Sequence, residues 1–201
     1  MTEAAIKLQH RAPYTVDDLF EIPDDGNRYE VFGGSLVMSP APAPMHQIVA
    51  DELQTFLRPP VRPHGALAVT AVAIRITDQD GPMPDIAVVS ENVRTLTGAV
   101  PLAAAHTVVE VVSPSSAFLD RSSKVDIYGE AGIACFWRVE LKASRRYTGP
   151  LPLIVVRARE KDGETWRTVE APAGETHELP LAVGPDAWTT VALDPAKLVD
   201  L

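Results

Sequence analysis

Residues 106–112 have the sequence His106-Thr107-Val108-Val109-Glu110-Val111-Val112. This run of β-branched residues predicts a strand that is buried on both faces of a sheet, and Ser113-Pro114 ends that strand. Within the valines, only Glu110 interrupts the apolar pattern. An unpaired buried carboxylate is costly, so we expect Glu110 to have a cation or hydrogen-bond donors beside it.

Elements on both sides of this strand predict a mixed α/β architecture. Residues 28–32 and 35–38 flank Gly33-Gly34 and form a hairpin pattern, because Gly-Gly can take positive φ. Apolar residues at helical spacing predict a helix over 45–57, and Glu52 falls within its apolar arc. The other elements predicted before residue 150 are a short helix over 14–20 capped by Thr15, strands over 67–76 and 84–89, a helix from 122 to about 131, and a strand over 136–141.

The chain beyond residue 150 is predicted to be β-rich, with strands over 153–158 and 166–169 and near 188–193. No internal repeat divides the sequence, and 201 residues fit one domain. We therefore expect a single domain over 1–201, with a core over 14–141 and a β-rich C-terminal extension over 150–201. The fold class is α/β, or α+β if the sheet is mainly antiparallel.

Composition and charge exclude several classes of protein. The chain is 46% apolar and 22% charged, which is unlike a disordered tail or a coiled coil. Its net charge of −9 argues against a non-specific nucleic-acid coat, but not against a nucleic-acid enzyme with a local basic strip or a bound metal. Residues 1–7 lack the pattern of a secretory signal, and no apolar run is long enough to span a membrane. We therefore expect a cytoplasmic protein without a membrane partner.

Cysteine content excludes two further classes. Cys135 is the only cysteine, so the chain has no disulfide framework and no cysteine-based zinc site. We expect Cys135, directly before Phe136-Trp137, to be a small buried hydrophobe rather than a nucleophile.

Two acidic residues stand on sequential predicted strands. Asp85 follows Pro84 at the start of one strand, and Glu110 lies within the next. Each acid alone is explained by a salt bridge or a turn, but together they are suitable oxygen ligands for a Mg²⁺-like ion. A metal-dependent nuclease also needs a positive group near the attacking water. Lys124 stands on the first turn of the following helix, on one face with Tyr128, although such a lysine is more commonly a solvated helix residue.

Five short motifs follow one another within residues 14–141. They are residues 28–36; 38–42 with His46-Gln47; 84–89; 109–116; and Asp120-Arg121 with Lys124 and Tyr128, continued from Gly132 through Trp137 to Glu140. In this order they resemble the Uma-two family of endonucleases, in the PD-(D/E)xK restriction-endonuclease-like superfamily. The resemblance implies a restriction-endonuclease-like core, in which a central mixed β-sheet is flanked by helices and preceded by a hairpin.

The resemblance also implies roles for individual residues. Asp85 and Glu110 would bind Mg²⁺ or Mn²⁺. The superfamily usually has a lysine two positions after the glutamate, where this chain has Val112, and Lys124 would carry that role from the following helix. A flexible lysine stem can deliver its ammonium to the same spot. Asp120 would orient Lys124 or cap its helix.

Two further residues match the motifs of the family. Glu30 corresponds to the acid of the first hairpin and His46 to the histidine of the first core helix, and either would complete the site as a third ligand or as a positioner of water. Glu30 is otherwise explained as a cross-strand charge partner, and His46 as a surface or capping residue. Glu52 competes with Glu30, because the wider superfamily often has a glutamate on its first core helix.

The sequence thus predicts a metal-dependent endonuclease that hydrolyses DNA phosphodiester bonds with a metal-activated water. Its densest basic cluster is either a contact to a phosphate backbone or a solvated loop, and it comprises Arg138, Lys142, Arg145 and Arg146. Cutting two strands with one site per chain favours a homodimer. The alternative is a catalytically inactive binding or assembly module that retains the fold. A serine hydrolase using Ser122 and Lys124 is a third, weaker hypothesis.

Overall fold

The computed structural model describes residues 11–39, 41–113, 124–160 and 163–200, and these form a mixed α+β fold, as predicted. The helices are α1 (Pro44–Val61) and α2 (Lys124–Ala131). The strands are β1 (Arg28–Phe32), β2 (Ser35–Ser39), β3 (Ala66–Thr70), β4 (Ile74–Arg75), β5 (Ile86–Ser90), β6 (Val100–Pro101), β7 (Ala105–Val112), β8 (Cys135–Glu140), β9 (Leu153–Arg159), β10 (Trp166–Pro172), β11 (His177–Ala182) and β12 (Trp188–Leu193). In these ranges, neither helix has the length and apolar content needed to cross a membrane.

A six-stranded mixed sheet, in the order β10-β9-β8-β7-β5-β3, forms the centre of the fold. β7 lies in its middle, antiparallel to β5 and parallel to β8, and all eight of its residues are buried. The prediction of a doubly buried strand at residues 106–112 is therefore confirmed. β9 and β10, from the C-terminal part of the chain, continue the same sheet beyond β8.

The two faces of the central sheet pack against different helices. Val109 of β7 belongs to the core cluster that contains Leu53 of α1. Val108 belongs to the second core cluster, which contains Tyr128 of α2. Because side chains alternate along a strand, Glu110 shares the face of Val108. The sheet therefore presents the Glu110 carboxylate to α2.

The predicted hairpin is formed by β1 and β2. Gly33 and Gly34 connect the strands with φ values of 53° and 72°. Two consecutive positive φ angles fit a turn whose twist matches that of the flanking strands. Val31 forms an isolated antiparallel bridge with Gly81, which fastens the hairpin to the rest of the molecule.

The predicted end of the first helix is wrong. α1 continues beyond residue 57 through Pro59 and Pro60 to Val61. Leu57 and Val61 are both almost fully buried. Burial of these apolar side chains extends the helix past two prolines that would otherwise end it.

Two other predicted elements differ from the structure. The strand predicted over 67–76 is divided, because Ala71 has a positive φ of 51° and the chain turns away after β3 toward β4. β4 pairs with β6 rather than with the central sheet. The helix predicted over 14–20 is only a 3₁₀ turn at Asp17–Phe20. The side chain of Thr15 does not cap this turn; the backbone N–H and the hydroxyl of Thr15 both donate to the carboxylate of Asp18.

β11 is a strand that the sequence pattern did not predict. It contains Pro180, which removes a backbone donor and lowers the strand signal. β11 pairs with β12 in a separate two-stranded sheet, where a missing donor is tolerated. The carbonyl of Pro180 accepts a hydrogen bond from Trp137 Nε1 at 3.0 Å, so β11 is tied to β8 of the central sheet.

Candidate active site

Asp85 and Glu110 come from neighbouring positions of the central sheet. Asp85 directly precedes β5, and its Oδ2 accepts the backbone N–H of Val111, the residue after Glu110 on β7, at 2.8 Å. Asp85 is 5% exposed and Glu110 is 2% exposed. The two acids that the sequence selects are thus both buried in this part of the sheet.

Lys124 begins α2 and reaches back to Glu110. Its Nζ lies 3.0 Å from Glu110 Oε1 and 3.0 Å from Glu30 Oε1. Tyr128, one turn further along α2, donates its hydroxyl to the same Glu110 oxygen at 2.8 Å. One helix therefore gives Glu110 a charged and a neutral donor, as the buried carboxylate requires.

The third carboxylate comes from the hairpin. Glu30 on β1 is 3% exposed, and its Oε1 also accepts the backbone N–H of Met83 at 2.7 Å. Glu52, the alternative acid, is half-buried on α1, and no ion pair joins it to Lys124 in the described part of the chain. The structure therefore brings Glu30, rather than Glu52, to Lys124.

Asp85 is held by partners from three other elements. Arg28 Nη1 on β1 lies 2.5 Å from its Oδ1. His46 Nε2 on α1 lies 3.1 Å from its Oδ2, and the backbone N–H of Val111 donates to that same oxygen at 2.8 Å. Burial alone would raise the pKa of Asp85, but the hydrogen bond and charge of His46, the charge of Arg28 and the N–H of Val111 together hold the pKa below its usual value. Asp85 is thus ionised at neutral pH.

His46 contributes a second ring nitrogen to the site. It stands in the first turn of α1 and is 7% exposed. Its Nδ1 is buried and has no hydrogen-bond partner among the described residues. Buried polar atoms are normally paired, so this ring nitrogen is an exception.

The donor set fits a Mg²⁺ ion in its chemistry. In the described ranges, no three His, Cys, Asp or Glu side chains are grouped so that they alone could hold a metal. Mg²⁺, however, usually keeps several waters and is bound by only one or two carboxylates. Asp85, directly before β5, and Glu110, on β7, supply two hard oxygen donors of this kind.

The five predicted site residues form two groups of side-chain contacts: Glu30 and Glu110 both contact Lys124, and His46 contacts Asp85. The N–H of Val111, next to Glu110 on β7, donates to Asp85 and brings the two groups into one region. Sequence reasoning did not assign Arg28 to this region, although Arg28 and Glu30 stand two positions apart on β1 and so share a face. The contact between Tyr128 and Glu110 was not predicted either, although the spacing of Tyr128 from Lys124 places both side chains on one helix face. Asp120 and Ser122 lie outside the described residues.

The predicted basic cluster divides into two parts. Arg138 on β8 is paired with Glu140 at 3.0 Å. The other three residues are exposed on the loop after β8, and we call them the basic loop: Lys142, Arg145 and Arg146. β8 runs parallel to β7, so the carboxyl ends of both strands lie at the same end of the sheet. The basic loop starts there, and Glu110 lies near the carboxyl end of β7.

A central mixed sheet flanked by helices, with two buried acids at neighbouring positions of that sheet, is a restriction-endonuclease-like α+β architecture. The chain belongs to the Uma2 (Uma-two) family, which is described as "Putative restriction endonuclease" and whose family model matches residues 16–192. The match extends beyond the range 14–141 over which the motifs resemble the family, and it includes β9 to β11 and most of β12.

A solved structure has the same fold. It is described as "a putative nuclease belonging to DUF820 from Anabaena variabilis", and it is similar to this chain with a TM-score of 0.62 and 18% sequence identity. The similarity covers 92% of this chain and 97% of that chain. Among curated proteins, none matches the chain.

Proposed function

We propose that this protein is a Mg²⁺-dependent endonuclease that hydrolyses phosphodiester bonds in DNA. One observation carries the proposal: the buried carboxylate of Asp85 is hydrogen-bonded to the N–H of Val111, next to the buried Glu110 on β7, and the ammonium of Lys124 lies 3.0 Å from Glu110. Two acids and a cation are the equipment that metal-assisted phosphodiester hydrolysis requires. Membership of a family described as restriction endonucleases supports the same reaction class.

Asp85 and Glu110 are the residues that would hold Mg²⁺, or Mn²⁺ in its place. The ion would supply Lewis-acid chemistry there, by polarising a phosphoryl oxygen and by lowering the pKa of a water that it binds. The low pKa of Asp85 keeps one ligand ionised and ready for a cation. His46 and the N–H of Val111 fix the orientation of that carboxylate from α1 and β7.

Lys124 supplies the positive charge of the site. Its ammonium is buried, and charge interactions are stronger in such a place than in water. It would stabilise the negative charge that develops on the phosphoryl oxygens and orient the attacking water. Glu30 holds Lys124 from the hairpin side, at 3.0 Å, and is therefore a positioning residue. Tyr128 orients Glu110 through its hydroxyl.

The charge distribution limits how the protein would hold DNA. A net charge of −9 opposes non-specific binding. The basic loop provides three exposed cations after the carboxyl end of β8, at the same end of the sheet as Glu110. These cations would contact the phosphate backbone. Each chain has one such site, so cutting both strands of a duplex favours a homodimer with two sites.

Cleavage assays with purified protein test this proposal. Duplex DNA, single-stranded DNA and RNA are incubated with Mg²⁺ or Mn²⁺, with and without a chelator. We expect DNA cleavage that the chelator stops and that Asp85→Asn, Glu110→Gln and Lys124→Ala each reduce by at least about a hundredfold. Matched exposed controls, Asp186→Asn and Glu178→Gln, retain activity. Cleavage retained in all three site variants would contradict the mechanism, and cleavage of RNA alone would contradict the substrate class.

One observation favours a second candidate, a binding or assembly module without catalysis. Both proposed ion ligands are engaged in ion pairs, Asp85 with Arg28 and Glu110 with Lys124. In such a module these pairs would be permanent and structural. Calorimetric titration with Mg²⁺ and Mn²⁺ separates the two candidates. Binding that is lost in Asp85→Asn supports the nuclease, and no heat of binding at millimolar ion supports the module.

A further inference from the structure

The two carboxylate oxygens of Asp85 have partners of different kinds. Oδ2 is engaged by His46 Nε2 at 3.1 Å and by the Val111 N–H at 2.8 Å. Those donors belong to α1 and to the central strand β7, both parts of the buried core. Oδ1 is engaged by Arg28 Nη1 at 2.5 Å, and Arg28 belongs to the hairpin. Arg28 therefore covers the oxygen that the core leaves open to a cation.

Arg28 also lies between the buried acid and an open space. Its side chain is 23% exposed, whereas that of Asp85 is 5% exposed. It lines a cavity of ≈ 370 Å³, with Asn27, Gln47 and Met83 among the other residues of the wall. The guanidinium therefore has open space beside it into which it would turn on leaving Asp85.

We infer that Arg28 is a phosphate-binding residue, which pairs with Asp85 in the ion-free protein and turns to the phosphate of the substrate when a divalent ion takes its place on Asp85. The inference rests on the proposed function and deepens it. Arginine suits this role, because its planar fork of donors matches carboxylate and phosphate equally well.

Charge repulsion supports the exchange of partners. A divalent ion on Asp85 would place two positive charges beside the guanidinium of Arg28, and their repulsion favours release of Arg28 from the carboxylate. The released guanidinium would then pair with the negative charge of a phosphate diester. The ion and the nucleic acid are therefore expected to bind cooperatively, with Arg28 as the link.

The first measurement is calorimetric titration with Mn²⁺ alone, without DNA. The proteins are the wild type, Arg28→Gln, Arg28→Lys and the control Arg75→Gln. Arg75 also pairs with carboxylates, those of Asp17 and Asp78, and its exposure of 29% is close to that of Arg28. We expect Arg28→Gln to bind Mn²⁺ about fivefold or more tightly than the wild type, since that factor is what one unit charge 4 Å away exerts even in water. Arg28→Lys and Arg75→Gln stay within about twofold of the wild type.

The second measurement is DNA binding by fluorescence anisotropy, with Ca²⁺ as a divalent ion and then with chelator. If Arg28 is released only by the ion, Arg28→Gln weakens DNA binding about tenfold with Ca²⁺ and less than twofold with chelator. A purely structural arginine would weaken binding equally under both conditions. Equal losses overturn the inference, and so does Mn²⁺ affinity in Arg28→Gln that is unchanged or weaker than in the wild type.

The outcomes separate this inference from the proposed function. If the wild type cleaves DNA but Arg28→Gln fails these two tests, only the role of Arg28 is wrong. If the wild type binds Mn²⁺ but neither binds nor cleaves DNA, the proposed function is wrong, and the Mn²⁺ titration still decides whether Arg28 competes with the ion. If the wild type binds no Mn²⁺, both are overturned. Should Arg28→Gln fail to fold, Arg28→Lys replaces it in the comparison of DNA binding with Ca²⁺ and with chelator, because it keeps the charge but loses the planar fork of donors. A loss of DNA binding with Ca²⁺ alone supports the inference, and equal losses under both conditions overturn it.

Discussion

Lys124 of α2 and Glu110 of β7 form a buried ion pair, with Nζ 3.0 Å from Oε1 and side chains that are only 6% and 3% exposed. The pair joins the helix to the central strand of the sheet. Lys124 also contacts Glu30, so one ammonium lies between carboxylates from β7 and from the hairpin. Its removal would take a shared cation away from two buried acids.

Replacement of this cation should be costly to stability as well as to activity. Lys124→Met keeps the length of the side chain but removes its charge. We expect the free energy of unfolding to fall by about 3–5 kcal/mol, the usual cost of removing one partner from a buried pair. Urea unfolding followed by tryptophan fluorescence measures this change.

Two further variants test the cause of this loss. Lys197→Met, at an exposed lysine, should change stability by less than about 0.5 kcal/mol. The double variant Glu110→Gln/Lys124→Met removes a carboxylate together with the cation and should be more stable than Lys124→Met alone. A double variant at least as unstable as Lys124→Met would show that the ion pair is not the source of the loss.

The basic loop should control the salt dependence of DNA binding. Replacement of Lys142, Arg145 and Arg146 by glutamine removes up to three phosphate contacts, and the slope of log affinity against log salt should become shallower by up to about 2.7. The matched control removes three other exposed arginines, which lie near the end of β5 that is farther from Asp85: Arg58, Arg62 and Arg94. Both triple variants have the same net charge. Equal slopes in the two would contradict a local role for the loop.

Much of the site was accessible from sequence because burial makes a carboxylate conspicuous. Glu110 interrupts an apolar run, and a charge in such a strand must have partners. The structure supplies them from Lys124 and Tyr128, which stand four residues apart on one helix face. Asp85 was found for a related reason, since it stands at the start of a predicted buried strand. The catalytic roles of these residues stay predictions that the assays above will test.

The partners of Asp85 were harder to predict, because they are distant in sequence. Arg28 and Asp85 are 57 residues apart, and no periodicity in the chain connects a hairpin to the start of a core strand. The fold was likewise less predictable where tertiary packing outweighed local preference. Pro180 obscured β11, and burial of Val61 carried α1 through two prolines. Strand pairing depends on such distant contacts, so β9 and β10 could be recognised as strands but not placed beside β8.

The hairpin turn should tolerate a side chain at Gly33 better than at Gly34. Both glycines have positive φ, which costs an alanine about 1 kcal/mol or more at either position. A Cβ at Gly33 meets no atom within 4 Å, whereas one at Gly34 would lie 2.8 Å from Pro13 Cβ. Gly34→Ala should therefore lose roughly 1–3 kcal/mol more than Gly33→Ala in urea unfolding. Equal losses would mean that Pro13 moves aside freely.

Since this hairpin carries Arg28 and Glu30, cleavage activity should fall in the same order.

Cys135 should be unreactive in the folded protein and so report unfolding. It is fully buried on β8, and burial raises the pKa of its thiol to about 11. At pH 8 only about one molecule in a thousand would carry the reactive thiolate, even if a reagent could reach it.

Brief pulses of iodoacetamide in increasing urea, read by mass spectrometry, check this expectation. Alkylation should follow the unfolding curve measured by fluorescence, with almost none before the transition. Ala192→Cys places a second thiol at an exposed position of β12, and that thiol should react at once in the native protein. Native Cys135 that reacts as fast as the thiol of Ala192→Cys would show that β8 opens to solvent without global unfolding. Because β8 is the parallel neighbour of β7, such opening would also loosen the strand that holds Glu110.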